Sequence, residues 1–316
     1  MAKWLKAILT VLMVVFLVRY IVVNWHDLRQ LLNLNITEIL LLLVLLGLSA
    51  TFGSCTIITV LKPLGVKLGF WEMFKVHNVA MLLNCVPMKL GTLFNAAYLK
   101  KHHNLSYEKF AVFFLYLTLL MMTSACFISL LILITVFGFE LNESRILAGA
   151  LAVIMFGALI LLNAQLPIPK GKTRLTAILK RFLEGRKSIS SNKITIMKAF
   201  FLLSLNFLLS ACRLAIIYNS MANSIHPSGY LLLGALGYVI LFLSITPGAI
   251  GVREVALGFG AAALSVPVHV GLLAAVIDRA AIILYIFMAG GICAFLIWKK
   301  DPDSLKGIRS KSDTLP

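Results

Sequence analysis

Long apolar stretches separated by short polar and basic segments dominate this chain. A membrane-crossing helix needs about 20 apolar residues, and six stretches are long enough. They are residues 5–23, 38–60, 110–137, 146–166, 196–218 and 268–297. The first follows Lys3 and Lys6 and lacks a clear small-residue cleavage site, so we expect a retained span rather than a signal peptide. The pattern predicts six transmembrane helices.

Two further apolar regions, 76–99 and 229–264, contain proline and glycine where a helix should be continuous. Broken backbone at membrane depth is tolerated only where protein or a water-filled cavity covers it. We therefore expect each region to be a re-entrant hairpin. The residues of the predicted tips are Pro87 and Gly91 in the first hairpin and Pro247, Gly248 and Gly251 in the second.

The Lys and Arg residues indicate how these elements are oriented. With the N-terminus inside and both broken regions re-entrant, only Arg29 and Arg145 lie in outer loops. Cytoplasmic loops of membrane proteins carry an excess of Lys and Arg. We therefore expect a multi-pass protein of the bacterial inner (plasma) membrane with both termini in the cytoplasm.

Composition agrees with this interpretation, because 60% of the residues are hydrophobic and only 13% are charged. The formal net charge of +17 alone would suggest nucleic acid. The basic residues, however, lie between the apolar stretches and mostly on one side. We therefore expect no nucleic-acid partner, and the charge is explained by topology.

The chain also repeats itself at an offset of about 160 residues, which relates Pro87 and Gly91 to Pro247 and Gly251. Each half contains two spans, then a hairpin and then a third span. Because three crossings is an odd number, the second half has the opposite orientation in the membrane. The expected segments are 1–168 (the first repeat and, from 146, the first span of the second), a basic cytoplasmic linker 169–195, the rest of the second repeat 196–298, and a cytoplasmic tail 299–316. The predicted fold class is an all-α polytopic membrane protein with six transmembrane helices plus two re-entrant helical hairpins in an inverted-topology repeat, as in many transporters.

Two basic segments lie outside the spans. The linker contains the basic and apolar residues Arg174, Ile178, Lys180, Arg181, Phe182, Leu183, Arg186 and Lys187. They could form a basic amphipathic helix on the membrane surface, which we interpret as a solvated inter-repeat linker held by anionic lipid rather than as a regulatory element. His102 and His103 adjoin Lys100 and Lys101, which favours an interfacial basic cluster over a metal site. We expect no metal and no cofactor.

Ionisable residues inside apolar segments are costly, and six of them are candidates for a binding site: Lys89, Arg213, Arg253, Glu254, Asp278 and Arg279. Such residues mark a binding site or a pathway by default. The basic members outnumber the acidic ones, and helix N-termini just after the two prolines would favour anions, so we expect an anionic, phosphate-bearing ligand. The alternative is a set of structural ion pairs, either Arg253 with Asp278 or Glu254 with Arg279 or Arg213.

The segment 246–254, TPGAIGVRE, followed by LSVP at 264–267 and by Asp278-Arg279, resembles the flippase-like transmembrane family. Its best-known member is the lipid-translocating domain of lysylphosphatidylglycerol synthase. The segment 84–91 is similar to the first hairpin of that family, although Thr92 and Asn95 replace an acidic and a basic residue common there. The positions that the resemblance implies to be functional are Pro247, Gly251, Arg253, Glu254 and Arg279, with Pro87, Lys89 and Gly91 added from the first hairpin.

The resemblance implies a flippase or transporter that moves an anionic lipid or lipid-linked saccharide head group between leaflets. An intramembrane lipid phosphatase or transferase is one alternative, and a membrane subunit supporting a glycosyltransferase in cell-envelope synthesis is another. Val252 and Glu254 flank Arg253, where a phosphatase would want Ser or His, so we expect no enzymatic activity. Aminoacylation of lipid is not expected either. The expected partners are anionic or polyprenyl-phosphate-linked lipids, with an envelope-biosynthesis protein or a second copy of this chain as further possibilities.

Overall fold

The computed structural model describes residues 34–85, 90–132, 134–135, 142–163, 183–243 and 251–300, and all regular elements within these ranges are helices. They are α1 (Ile36–Leu61), α2 (Phe70–Asn84), α3 (Leu90–His103), α4 (Tyr107–Ile132), α5 (Asn142–Asn163), α6 (183–190), α7 (Lys193–Ser220), α8 (Pro227–Leu243), α9 (Val252–Ala262), α10 (Val268–Tyr285) and α11 (Gly291–Lys300). A short 3-10 turn, Lys62–Leu64, follows α1, and a π-helical segment, Ile286–Gly290, joins α10 to α11.

Four of the helices within these ranges are long and apolar enough to cross a membrane: Ile36–Leu64, Tyr107–Ile132, Lys193–Ser220 and Val268–Lys299. Each matches a predicted span to within a few residues. Helix α5 occupies the predicted span 146–166, and its apolar part Ala152–Leu162 is shorter. The predicted span 5–23 lies outside the described residues. The helical membrane class is thereby supported.

Polar residues at the helix starts explain where the apolar helices begin. The Glu38 carboxylate accepts a hydrogen bond of 2.8 Å from the backbone N–H of Asn35, one turn before it. The Asn192 side chain accepts one of 3.1 Å from the N–H of Thr195 at the start of α7. Free N–H groups in the first turn of a helix need such acceptors. The local sequence therefore determines these starts independently of lipid.

The first broken region forms an antiparallel helical hairpin of α2 and α3. Near its tip, a Cβ added to Gly91 would lie 2.7 Å from the carbonyl carbon of Ala80. At its open end, the Tyr98 hydroxyl donates a 3.1 Å hydrogen bond to Glu72. The absence of a side chain at Gly91 is what allows the two helices to approach so closely. Pro87 and Lys89 lie outside the described residues.

The second broken region is an antiparallel hairpin of α8 and α9. A Cβ added to Gly260 would lie 2.7 Å from a methyl carbon of Leu236, and one added to Gly229 would lie 3.0 Å from Leu264. Gly251 caps α9 with φ of +81° and ψ of −44°, a positive-φ conformation that glycine adopts without strain. Each of the two broken regions therefore contains two helices within the described residues. The residues of this tip at 244–250, with Pro247 and Gly248, lie outside the described residues.

The chain groups into two compact units. Unit 1 comprises Met1–Ser49, Ala125–Val153 and Ser204–Tyr285, and unit 2 comprises Ala50–Ser124, Ile154–Leu203 and Ile286–Pro316. Each unit contains one hairpin, α8 with α9 in unit 1 and α2 with α3 in unit 2. These are groups of contacts rather than sequence repeats, so the predicted repeat boundaries stay predictions.

The end of the basic linker packs on the protein. Helix α6 buries Ile189 completely and Leu183 almost completely. Arg186 donates a hydrogen bond of 2.5 Å to the carbonyl oxygen of Leu161, and the Ser188 hydroxyl donates one of 2.5 Å to that of Pro63. The predicted surface helix is therefore a helix over 183–190, but its apolar face contacts unit 2 rather than lipid alone. Its earlier residues lie outside the described part of the chain.

A carboxylate holds the open end of the first hairpin together. Glu72 accepts a 2.8 Å hydrogen bond from Nε2 of His103 in addition to the one from Tyr98. Partial burial raises the pKa of Glu72, but the hydrogen bond and charge of His103, with the Tyr98 hydroxyl, outweigh it and lower this pKa below its ordinary 4.5. His103 of the predicted basic cluster thus has an acidic partner, on the preceding helix.

Acid should loosen this end of the hairpin. Because the folded-state pKa of Glu72 is depressed, its contribution to stability is complete above about pH 4.5 and is lost as the pH falls below that value. Between about pH 7 and about pH 3, the thermal unfolding midpoint of the wild type should fall further than that of Glu72→Gln. The variant lacks the carboxylate charge at both pH values. Equal falls for the two proteins would contradict this role of Glu72.

Candidate functional site

Three charged side chains meet inside unit 1. Asp278 on α10 is fully buried, and its Oδ1 accepts a 2.9 Å hydrogen bond from Nε of Arg213 on α7. Its Oδ2 accepts a 2.7 Å bond from Nη2 of Arg253 on α9. One carboxylate therefore holds two arginines, each through its own oxygen, and the group has one net positive charge. We call these three residues the arginine site.

The start of α9 sets the position of Arg253. The Glu254 carboxylate, itself buried, accepts a 2.7 Å hydrogen bond from the backbone N–H of Gly251. This bond caps the helix, so Arg253 is the second residue of its first turn. Gly237 on α8 leaves room for it, because a Cβ there would lie 3.3 Å from Nε of Arg253. The capped start and the glycine together direct the guanidinium to Asp278.

Small residues bring α9 and α10 together. A Cβ added to Gly271 would lie 2.5 Å from the Cβ of Ala261 and 3.0 Å from the Cα of Gly258. Helices that meet at glycine approach backbone to backbone, as is common within membranes. At this separation a side chain from the start of α9 reaches the middle of α10. The contact explains why Arg253 and Asp278 form a direct ion pair.

Both arginines keep one donor group free within the described residues. The Nη1 atoms of Arg213 and Arg253 are buried and have no hydrogen-bond partner there. Both side chains are more than nine-tenths buried, with relative exposures of 5% and 7%. A buried charged donor without an acceptor is costly. The arginine site can therefore accept an anion that offers oxygen atoms to both guanidinium groups.

Neutral polar residues continue from the arginine site along α7. The Ser210 hydroxyl lies 3.5 Å from Nη2 of Arg213, one turn away. One turn earlier still, Asn206 forms hydrogen bonds with the side chain and the carbonyl oxygen of Ser49 on α1. Tyr238 on α8 packs edge-on against Phe207 with ring centroids 4.5 Å apart. Unit 1 thus contains a polar stripe along an otherwise apolar helix.

The structure brings together three of the six predicted charged residues. Arg213 and Arg253 both pair directly with Asp278. The pair of Arg253 with Asp278 was among the predicted pairs, and the pair of Arg213 with Asp278 was not. Glu254 adjoins them but caps α9. Arg279 follows Asp278 on α10 and is half-buried. The sixth residue, Lys89, lies outside the described residues.

Sequence reasoning missed the residues that position the charges. Gly237, Gly258 and Gly271 permit the close approaches, and Ser210 extends the site. Ser210 carries a signal that was available, because it lies one helical turn before an intramembrane arginine. The glycines carry none, since glycine is common in membrane helices generally.

The family comparison covers most of the chain. The family described as "Lysylphosphatidylglycerol synthase TM region" matches residues 3–290. No curated protein and no solved structure matches. The match confirms the resemblance found in segments 84–91 and 246–254, and it includes the arginine site and both hairpins.

Proposed function

Because the chain belongs to the lysylphosphatidylglycerol synthase TM region family, we propose that it moves an anionic lipid or lipid-linked saccharide head group between the leaflets of its membrane. The observation that carries this proposal is the pair of buried arginines that share one carboxylate. Their free Nη1 donors would bind the phosphate oxygens of a head group. The acyl or prenyl chains would stay in the bilayer.

The hairpins support transport rather than static binding. We place α2 with α3 and α8 with α9 in the membrane as re-entrant hairpins of opposite orientation, within an inverted repeat of six spans. The distribution of Lys and Arg supports cytoplasmic termini in a bacterial inner membrane. In this arrangement each hairpin would open toward one leaflet, as in transporters with inverted repeats. The substrate partners would be membrane lipids.

The state of the two acidic residues favours binding over lipid hydrolysis. Both oxygens of Asp278 accept hydrogen bonds from arginine, and Glu254 accepts one from the backbone of α9. A general base must be able to take a proton from the attacking group. Carboxylates engaged in this way are poor bases, so the arginine site is suited to hold a head group rather than to cleave it.

Loss of one guanidinium should impair transport without unfolding the protein. Arg253→Gln leaves Asp278 paired with Arg213 and removes one donor to the head group. Leaflet exchange of a labelled anionic lipid by purified protein in liposomes should slow about tenfold or more, because a hydrogen bond to a charged group contributes about 1.5–3 kcal/mol.

Glu254→Gln provides the matched control at the adjacent position. Its side-chain oxygen can still accept the hydrogen bond from Gly251, so exchange should proceed at the wild-type rate. A wild-type rate for Arg253→Gln would contradict the site assignment. An equal loss in Glu254→Gln would mean that the loss is not specific to the arginine pair.

A further inference from the structure

A buried acceptor lies in the first hairpin, within unit 2. Asn78 on α2 is 1% exposed, and its side-chain Nδ2 donates a 2.8 Å hydrogen bond to the carbonyl oxygen of Phe74. Its Oδ1 is buried and has no partner among the described residues. Exchanging the amide nitrogen and oxygen would place two oxygens against each other, so the bond to Phe74 fixes which atom is free. The free atom accepts hydrogen bonds and cannot donate them.

Two buried hydroxyl groups of unit 2 show how such polar residues are usually satisfied. The hydroxyls of Ser54 and Thr123 donate 2.7 Å and 2.8 Å hydrogen bonds to the carbonyl oxygens of Ala50 and Leu119, four residues earlier. A hydroxyl satisfied by its own helix is the usual way to keep a polar residue in an apolar surrounding. Asn78 departs from this pattern, because its amide nitrogen has a hydrogen-bond partner and its amide oxygen has none among the described residues. An unmade buried hydrogen bond lowers stability.

Asn95 on α3 is a second such acceptor at a similar level of the hairpin. Its Oδ1 is also buried and has no partner in the described part of the chain. The register of the hairpin places Gly91 opposite Ala80 and Tyr98 opposite Glu72. Asn95 therefore lies within about one helical turn of the level of Asn78.

The last span reaches α2 at the same place through its irregular segment. The π-helical residues Ile286–Gly290 pack on α2, and a Cβ added to Gly290 would lie 3.0 Å from the carbonyl oxygen of Asn78. The same Cβ would lie 2.9 Å from the Cβ of Leu82, one turn further along α2. Single π-helical turns occur frequently at functional sites. The turn of α2 that contains Asn78 is therefore in contact with the π-helical segment.

We propose that Asn78 and Asn95 contribute to a second binding site, which accepts hydrogen bonds from a hydroxyl- or ammonium-bearing lipid head group. The chemistry is opposite to that of the arginine site, which offers donors to an anion. The proposal rests on the free acceptors of unit 2 and does not depend on the function proposed for the arginine site. A lipid is the expected ligand because unit 2 contains part of each of the four helices that are long and apolar enough to cross a membrane.

Lipid binding to purified full-length protein tests the site with three probes. Phosphatidylglycerol carries hydroxyl donors, phosphatidylethanolamine carries an ammonium donor, and phosphatidylcholine carries neither. The wild type should bind at least one of the first two more tightly than phosphatidylcholine. Asn78→Leu should reduce that preference about fivefold, the effect expected for one neutral hydrogen bond. It should also unfold at the same or a higher temperature, since an unsatisfied buried group has been removed.

Controls separate this site from a structural role and from the arginine site. Ser54→Ala removes a satisfied hydroxyl in unit 2 and should leave the preference unchanged. The arginine site would itself favour the anionic phosphatidylglycerol, so Arg253→Gln is compared on phosphatidylethanolamine and phosphatidylcholine, which have the same net charge. It should retain any preference between these two lipids, which keeps failure of this proposal distinguishable from failure of the transport proposal. An undiminished preference in Asn78→Leu would overturn the proposal, as expected if only water satisfies these acceptors. Should Asn78→Leu fail to fold, the same measurement on Asn95→Leu decides in the same way.

Discussion

Asp278→Leu should destabilise the protein by about 3–5 kcal/mol, which is the usual cost of removing one partner from a buried ion pair. The substitution leaves the guanidinium groups of Arg213 and Arg253 buried side by side without a counter-charge. Like charges in a low-dielectric interior repel strongly. Thermal unfolding of the detergent-purified protein, followed by tryptophan fluorescence, should show a large fall in the midpoint.

A triple substitution distinguishes the structural role of the arginine site from its role in binding. Arg213→Met and Arg253→Met, added to Asp278→Leu, replace the whole charge network by apolar side chains. Such replacements are often neutral or stabilising, so the triple variant should recover most of the lost stability. It should nevertheless fail to exchange anionic lipid, because no guanidinium remains. A triple variant that exchanges lipid at the wild-type rate would contradict the proposed function.

The charged residues of the site could be predicted because charge is rare in apolar segments. Arg213, Arg253 and Asp278 were all identified in this way, but the sequence left several pairings open. Which of two adjacent residues, such as Asp278 and Arg279, faces the partner helices depends on the rotation of α10 about its axis. Consecutive residues on a helix point about 100° apart. That rotation is determined by contacts at Gly258 and Gly271, whose roles no local pattern indicates.

In the hairpins, too, local sequence predicts some features, whereas contacts between distant residues determine others. Proline and glycine in apolar segments locate the breaks between α2 and α3 and between α8 and α9, because backbone chemistry alone forbids a continuous helix there. The register of each hairpin depends instead on which side chains interdigitate across it. The pairs Tyr98–Glu72 and His103–Glu72 join residues far apart in the chain, and no periodicity predicts them.

Glycine is the residue whose role the sequence least reveals, and two examples make this testable. Gly91 lies where a Cβ would overlap the backbone of Ala80 and reach within 2.7 Å of the Asn84 side chain. Gly157 on α5 is exposed, and nothing lies within 4 Å of the position of its Cβ. Both are helical glycines in apolar surroundings, so sequence alone treats them alike.

Gly91→Ala should destabilise the protein by about 3 kcal/mol or more, because the obstacle is backbone and cannot rotate away as a side chain would. The helices α2 and α3 would have to separate, and the contact of Tyr98 with Glu72 at the open end would be weakened with them. Gly157→Ala should be neutral or should stabilise by about 0.5–1 kcal/mol, since alanine is the better helix former. Unfolding midpoints of the two variants, measured beside the wild type, should therefore move in opposite directions or differ by many degrees. Equal stability of the two variants would mean that α2 and α3 do not pack as closely as the hairpin requires, and the proposed re-entrant element would lose its structural basis.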